Sequence, residues 1–264
     1  MAPLDDALAS IIDFANCPID DPVFTQKCAD DLARDGVLLL PNFLHDNVIA
    51  DLVTEAEAHR DQAYYTASTH NVYLTPPRDD LAADHPFNRQ VTSSKGCITT
   101  DQIPPASDLQ TLYASDAFKA FIASIVGEAA LYEYGDPLSG INVHFAGDGQ
   151  ELGWHFDNSK FAITLLLQKP LAGGDFEYVR DLRDADNGEM NYDGVSALLD
   201  GKLTPQVLDM QPGGLVLFRG RNSVHRVTPT IGDQTRILVV LAYNAEPGMA
   251  LSESARMTFF GRLG

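Results

Sequence analysis

Positive charge is scarce in this chain: 18 lysines and arginines stand against 37 aspartates and glutamates, a formal net charge of −19 over 264 residues. That excess repels nucleic acid and anionic lipid, so neither is expected as a partner. It also disfavours polyanionic substrates, although a local basic pocket can still hold a small carboxylate. Cysteine is scarce too. Cys17, Cys28 and Cys97 are odd in number, scattered and without metal or redox spacing, which fits reduced thiols in a cytoplasm better than a disulfide framework. No apolar run of about 18 residues is present to span a bilayer. The opening MAPLDDALAS lacks the basic start and apolar core of a secretory leader. Internal repeats and low-complexity tracts are absent. These gaps leave a soluble, cytoplasmic protein without a membrane or nucleic-acid partner as the expectation.

What is present is ordinary for a globular chain: 45% apolar and 21% charged residues, with enough length to enclose a substantial core. Residues 4 to 15 and 23 to 35 read as helices, the second stopped by Gly36. DGVLLLPNFL is a short buried strand, Val37 to Leu40, halted by Pro41. Asp46 is placed to cap the helix NVIADLVTEAEAHRD. Residues 64 to 108, rich in Pro, Asp, Ser and Thr, read as long loops with short strands, and a helix is expected from Ser107 to Val126, ending at Gly127.

From Leu131 the texture changes to short strands separated by glycine and proline: LYEYG, GINVHFAG, FAITLLLQ, DFEYV, QVLDM, GLVLFRG, HRVTPT and RILVVLAYN. Helices followed by seven or eight such strands imply an α+β fold, a double-sheet jelly roll buttressed by N-terminal helices. The expected organisation is one domain over 1–264. It comprises a helical and loop part at 1–130, a jelly-roll core at 131–247 with an insertion at 181–205, and a C-terminal segment at 248–264. The insertion should carry a short helix around Tyr192 to Leu199, and insertions of this length often cover a site.

Two His-x-Asp triplets occur. His59-Arg60-Asp61 falls in an expected helix, where positions i and i+2 lie roughly 200° apart around the axis and cannot share an ion. His155-Phe156-Asp157 falls at a strand, where i and i+2 point to one face and can. His225 begins another strand 68 residues after Asp157, after the turn-strand-turn QPGGLVLFRGRNS that would return it to the same barrel mouth. Two imidazoles and one carboxylate make a facial triad with open positions for Fe(II) chemistry. A structural zinc site would favour four ligands and cysteine. The bland alternative is three polar residues capping strands. Arg236 follows His225 by eleven residues in an otherwise apolar strand, and it reads either as a solvated strand-end cation or as a bidentate clamp for a dicarboxylate.

At this point the set His155-x-Asp157, His225 and Arg236 resembles the signature of the Fe(II)/2-oxoglutarate-dependent oxygenases. DGVLLLPNFL, GGDFEYV and PGGLVLFRGRNSVHRVTP are similar to strands of that superfamily, and the match runs from about Asp35 to Pro247. HNVYLTP, GDPLSGINV, ELGWHFD and FRGRNSVHRVTP resemble the bacterial group that contains free amino-acid halogenases and related hydroxylases. The resemblance implies His155, Asp157 and His225 as metal ligands and catalytic residues. It also implies Arg236 on the far carboxylate of 2-oxoglutarate and O₂ as co-substrate. The expected reaction is hydroxylation of a small molecule such as a free amino acid, releasing succinate and CO₂. The halogenases of that group have a small residue where this chain has Asp157, so hydroxylation is expected over halogenation.

Further expectations attach to single residues. Asn142 shares a strand face with His144 and is a candidate 2-oxoglutarate contact, and Thr228 is a candidate lining of the same slot. Arg89, Asn158, Tyr65 and Asn71 are candidate substrate contacts. His144 reads as a satisfied strand histidine and Trp154 as packing. The competing readings are a non-catalytic jelly roll that senses a dicarboxylate, and a same-family enzyme performing desaturation, epimerisation or cyclisation.

Overall fold

The computed structural model describes residues 6–264. Its helices in chain order are α1 Asp6–Ile11, α2 Pro22–Asp35, α3 Asp46–His59, α4 Asp108–Ala114, α5 Asp116–Val126, α6 Tyr192–Leu199 and α7 Glu253–Phe260. The strands are β1 Val37–Leu40, β2 Tyr64–His70, β3 Val91–Thr99, β4 Tyr132–Glu133, β5 Ile141–Ala146, β6 Leu152–His155, β7 Ala162–Gln168, β8 Ala172–Gly173, β9 Phe176–Val179, β10 Gln206–Leu208, β11 Leu215–Phe218, β12 Val224–Val227, β13 Thr230–Ile231, β14 Arg236–Leu241 and β15 Tyr243–Asn244.

Local chemistry accounts for the helix ends. Asp21 accepts from the Val23 amide, Pro22 occupies the first turn, and Gly36 closes α2 at φ 73°. The helix expected over Ser107–Val126 is two helices. Ser115 leaves the helical conformation and its hydroxyl accepts from the Phe118 amide, so one residue ends α4 and caps α5. The expected cap at Asp46 is also corrected. His45 holds the capping position without a side-chain bond, and Asp46 is the first helical residue, placing its charge at the positive end of the helix. The helix expected over 4 to 15 closes at Ile11, because Ile12 bridges to Leu44; its residues 4 and 5 lie outside the described ones.

Eleven strands form one antiparallel sheet in the order β1-β11-β7-β14-β5-β3-β6-β12-β9-β10, with β2 on the free side of β3. The sheet curls into a jelly roll of two walls. Near the β3–β6 junction the walls meet through a single register pair, Ser93 opposite Leu152. Outward residues of the first wall, among them Ile98, Val143, Phe145, Leu165, Leu217 and Val239, pack with α1 to α5 in the main core. The second wall is covered on its outside by Trp154, Phe156 and Val224 packed against Tyr73, Phe87 and the insertion helix α6, which spans the residues expected for it. Between the walls, Leu166, Tyr178, Val216, Phe218, Phe176 and Leu238 fill one end of the lumen.

The largest departure from expectation is the stretch 64–108. A long loop at 71–90 is present as expected, but the strands flanking it, β2 and β3, are seven and nine residues long and pair in continuous register from Tyr64 opposite Cys97 to His70 opposite Val91. β2 is exposed along nearly its whole length as an edge strand paired on one side with β3, so polarity there marks a solvated strand and not a loop. The C-terminal segment is also ordered: α7 buries Phe260 against Cys97 and Leu138, while Arg262 ion-pairs with Asp101.

Candidate metal centre

The second wall brings the distant histidines together by pairing. His155 closes β6 and His225 lies in β12, directly opposite it in the antiparallel register, with ring centroids 4.1 Å apart. Beyond His155 the backbone turns off the ladder: the Phe156 amide donates to the Val72 carbonyl and the Asp157 amide to Gly220. That turn swings the Asp157 carboxylate back over the two rings. Its Oδ1 lies 3.7 Å from His155 Nε2 and 3.5 Å from His225 Nε2. Ligand atoms about 2.1 Å from one ion at octahedral to tetrahedral angles lie roughly 3.0–3.4 Å from each other, so the carboxylate needs to approach each ring nitrogen by only a few tenths of an ångström.

Both imidazoles are fixed in the ligating tautomer. His155 Nδ1 donates to the Gly153 carbonyl at 2.9 Å and His225 Nδ1 to the Ser223 carbonyl at 3.1 Å, which leaves each Nε2 lone pair directed at the shared point. Burial first, and the neighbouring His225 second, push the His155 pKa well below its ordinary value, so the ring is neutral as a ligand must be. Phe176 stacks on His225 and Phe218 meets it edge-on, holding the ring and excluding water. His70 meets His155 edge-on and is itself bonded to Ser93 at 2.7 Å.

A metal fits this donor set on independent grounds. Asp157 Oδ2 is a buried carboxylate oxygen without a hydrogen-bond partner, a costly state unless a cation neutralises the group. Gly220 makes room for it: a Cβ there would stand 1.9 Å from that oxygen and 2.9 Å from His225 Cε1. Among the described residues, His155, Asp157 and His225 are the one group of three or more metal-binding side chains able to converge, their ligand atoms within 4.8 Å of one another.

The other residues singled out by sequence are distributed as follows. Arg236 is buried at the start of β14; its Nε donates to the Gly174 carbonyl at 3.1 Å, and its terminal nitrogens make no bond among the described residues. Burial lowers its pKa to about 10, against a partial offset from Asp175, so the guanidinium stays charged at neutral pH. Thr228 lies beside this group, accepting from the Asp175 amide. Asn142 is buried and spends its amide on the Leu138 and Ile141 carbonyls. Asn71 organises the turn after β2, accepting from the Tyr73 and Thr75 amides and donating to the Thr75 carbonyl. Arg89 ion-pairs with Asp200 at 2.6 Å. Tyr65 is half-exposed over Gly96 and accepts from Arg60, and Asn158 offers its carbonyl to Arg221. Trp154 packs in the outer core under the Arg226 guanidinium.

Three features were missed from sequence. The Gly220 cradle has no signature of its own, since a glycine before a strand ordinarily signals a turn. Lys95 projects into the lumen beside His144, invisible until β3 is known to be a strand. Arg183, from the insertion, lays its guanidinium 4.1 Å from the Phe156 ring centroid, between the triad's two β6-side ligands in sequence.

Comparison with known proteins agrees with this geometry. A family model described as Halogenase D matches residues 21–258. No curated protein matches. Among solved structures, a 2OG-Fe(II) oxygenase family oxidoreductase from Burkholderia pseudomallei is 14% identical with a TM-score of 0.52, covering 85% of this chain and 92% of its own. The non-heme α-ketoglutarate-dependent epimerase of nogalamycin biosynthesis is 14% identical with a TM-score of 0.58, covering 84% of each chain. A prolyl hydroxylase from Trichoplax adhaerens, solved with a hypoxia-inducible-factor peptide, is 12% identical with a TM-score of 0.52, covering 83% and 89%. At such identities the likeness is one of fold.

Proposed function

This chain belongs to the halogenase D family of the Fe(II)/2-oxoglutarate oxygenase superfamily, and from that premise we propose that it hydroxylates a small molecule, such as a free amino acid or related metabolite. The observation that carries the reading is the Asp157 carboxylate, poised over His155 and His225. Where a halide would need a vacant metal position, this chain supplies an oxygen ligand.

His155 Nε2, His225 Nε2 and Asp157 Oδ1 would hold Fe(II). Arg236, charged and unpaired at the far side of the lumen, would take the distal carboxylate of 2-oxoglutarate. Bound together, the metal and cosubstrate supply the oxidising equivalent from O₂, with succinate and CO₂ as by-products. The residues of this chain do the rest. The Gly153 and Ser223 carbonyls hold the imidazole protons away from the metal side. Phe176 and Phe218 keep water from the His225 ring, and the Gly220 gap lets the carboxylate stand against both histidines without a competing hydrogen bond. The insertion packs α6 over the outside of the ligand-bearing wall and brings Arg183 within electrostatic reach of Asp157.

The test is a screen of amino acids and small metabolites for substrate-dependent succinate release in the presence of Fe(II), 2-oxoglutarate and O₂, run in high chloride with mass spectrometry of the products. A gain of one oxygen is the expected result. A chlorinated main product would overturn the hydroxylase assignment, and metal binding without succinate release from any substrate would favour a dicarboxylate sensor.

A further inference from the structure

The reading above asks for one cation opposite the triad; the lumen holds two. In register, His144 of β5 stands opposite Cys97 of β3 on one side and Leu238 of β14 on the other. Lys95 is two residues from Cys97 and Arg236 two from Leu238, so all three side chains share the inner face of the barrel. Lys95 Nζ lies 3.2 and 3.3 Å from the two ring nitrogens of His144. It lies within electrostatic range of both Arg236 and Asp157.

This lysine differs from every other in the chain. Lys27, Lys119, Lys160, Lys169 and Lys202 each pair with a carboxylate. Among the described residues Lys95 has only the imidazole, and Arg236 only a backbone carbonyl. Two cations held in one lumen repel each other, and among the described residues neither forms an ion pair with a carboxylate; Asp175 offsets the burial of Arg236 only in part, and Asp157 that of Lys95 only at longer range. In a chain with 37 acidic residues, counter-ions are not in short supply. The missing charge is that of a ligand.

We propose that Lys95, aimed by His144, shares with Arg236 the distal carboxylate of the dicarboxylate cosubstrate, making the anchor a two-cation grip. The inference rests on the 2-oxoglutarate reading above. His144 accepts from the ammonium and stays neutral, since burial and both neighbouring cations hold its pKa well below the ordinary value. It is therefore a positioning residue that adds no charge of its own.

The experiment measures binding of 2-oxoglutarate and of 2-oxopentanoate, which lacks the distal carboxylate, to Mn(II)-loaded full-length protein without O₂. The wild type is compared with Lys95→Met and Arg236→Leu, and the metal-free Tm of each is recorded. Lys95→Met should weaken 2-oxoglutarate at least tenfold and leave 2-oxopentanoate within twofold. Its metal-free Tm should be unchanged or higher, because an uncompensated charge has gone. Binding of 2-oxoglutarate at wild-type strength would overturn the inference while leaving the cosubstrate reading intact, provided Arg236→Leu binds weakly. Equal weakening of both acids with a lowered Tm would mark Lys95 as structural and also overturn it. Should Lys95→Met not fold, Lys95→Gln is judged by the same criteria, and loss of fold in both assigns the residue to structure. A wild type with no preference for 2-oxoglutarate over 2-oxopentanoate would remove the cosubstrate reading itself, and this inference with it.

Discussion

Replacing Gly220 by alanine isolates the metal site from the fold. The added methyl would lie 1.9 Å from Asp157 Oδ2 and 2.6 Å from its Cγ, far inside any real contact. The carboxylate must therefore retreat by about 1 Å or rotate away. It can do so cheaply in the metal-free protein, because Oδ2 has no hydrogen bond to lose. The loss is felt when metal binds. Oδ1 then no longer meets the two Nε2 atoms, and displacements of about 1 Å at a reacting centre cost on the order of 100-fold. We expect Gly220→Ala to fold with a metal-free Tm within about 4 °C of wild type, the equivalent of roughly 1 kcal/mol in a chain of this size. Its affinity for Mn(II) or Fe(II), read by calorimetry without O₂, should fall at least ~100-fold, with substrate-dependent succinate release lost in parallel. Wild-type metal affinity in a folded Gly220→Ala protein would refute the assignment of Asp157 as a ligand in this geometry.

Other outcomes follow from the same structure. Asn71→Ala leaves the Tyr73 and Thr75 amides and the Thr75 carbonyl without their side-chain partner; the expected cost of about 2–3 kcal/mol should appear as a Tm drop of roughly 5–10 °C. Ser115→Ala removes the cap of α5 and should cost about 1 kcal/mol in urea unfolding, with metal affinity unchanged. His155 and His144 both have pKa values held well below the free imidazole by burial. The unfolded chain therefore takes up protons near pH 6.5 that the folded chain refuses. Stability of the metal-free protein should be full above that pH and fall below it, by about 1.4 kcal/mol per histidine at pH 5.5, and His144→Phe should reduce that slope.

Strand periodicity separated His155 and Asp157 from the helical pair His59 and Asp61, although only His155 lies on a strand: β6 ends there, and a turn off the ladder brings the Asp157 carboxylate round to both rings. The jelly roll followed from the glycine and proline punctuation after Leu131, and the insertion helix over Tyr192–Leu199 from its own pattern. The hairpin of β2 and β3 was not legible, because serines, threonines and histidines on an exposed edge strand look like a loop when composition is read without a partner strand. With that strand missing, Lys95 had no direction and the second cation of the lumen could not be seen. The Gly220 cradle depends on where Asp157 comes to rest after the chain leaves β6, which only the tertiary turn decides. Asn71 bonds its own turn and Arg89 pairs with Asp200, partners set by the tertiary fold that the sequence around either residue does not display.

The two imidazoles of the candidate centre are steered by peptide oxygens, each belonging to a residue two positions earlier in the same chain segment. Side-chain orienters can be lost by a single base change, whereas a peptide oxygen accompanies every amino acid. The tautomer of each imidazole is thereby uncoupled from the side chains of its neighbours. Substrate-facing positions around the centre are free to diversify while the donors keep their aim, a condition under which one scaffold can change what it oxidises without rebuilding how it grips its ion.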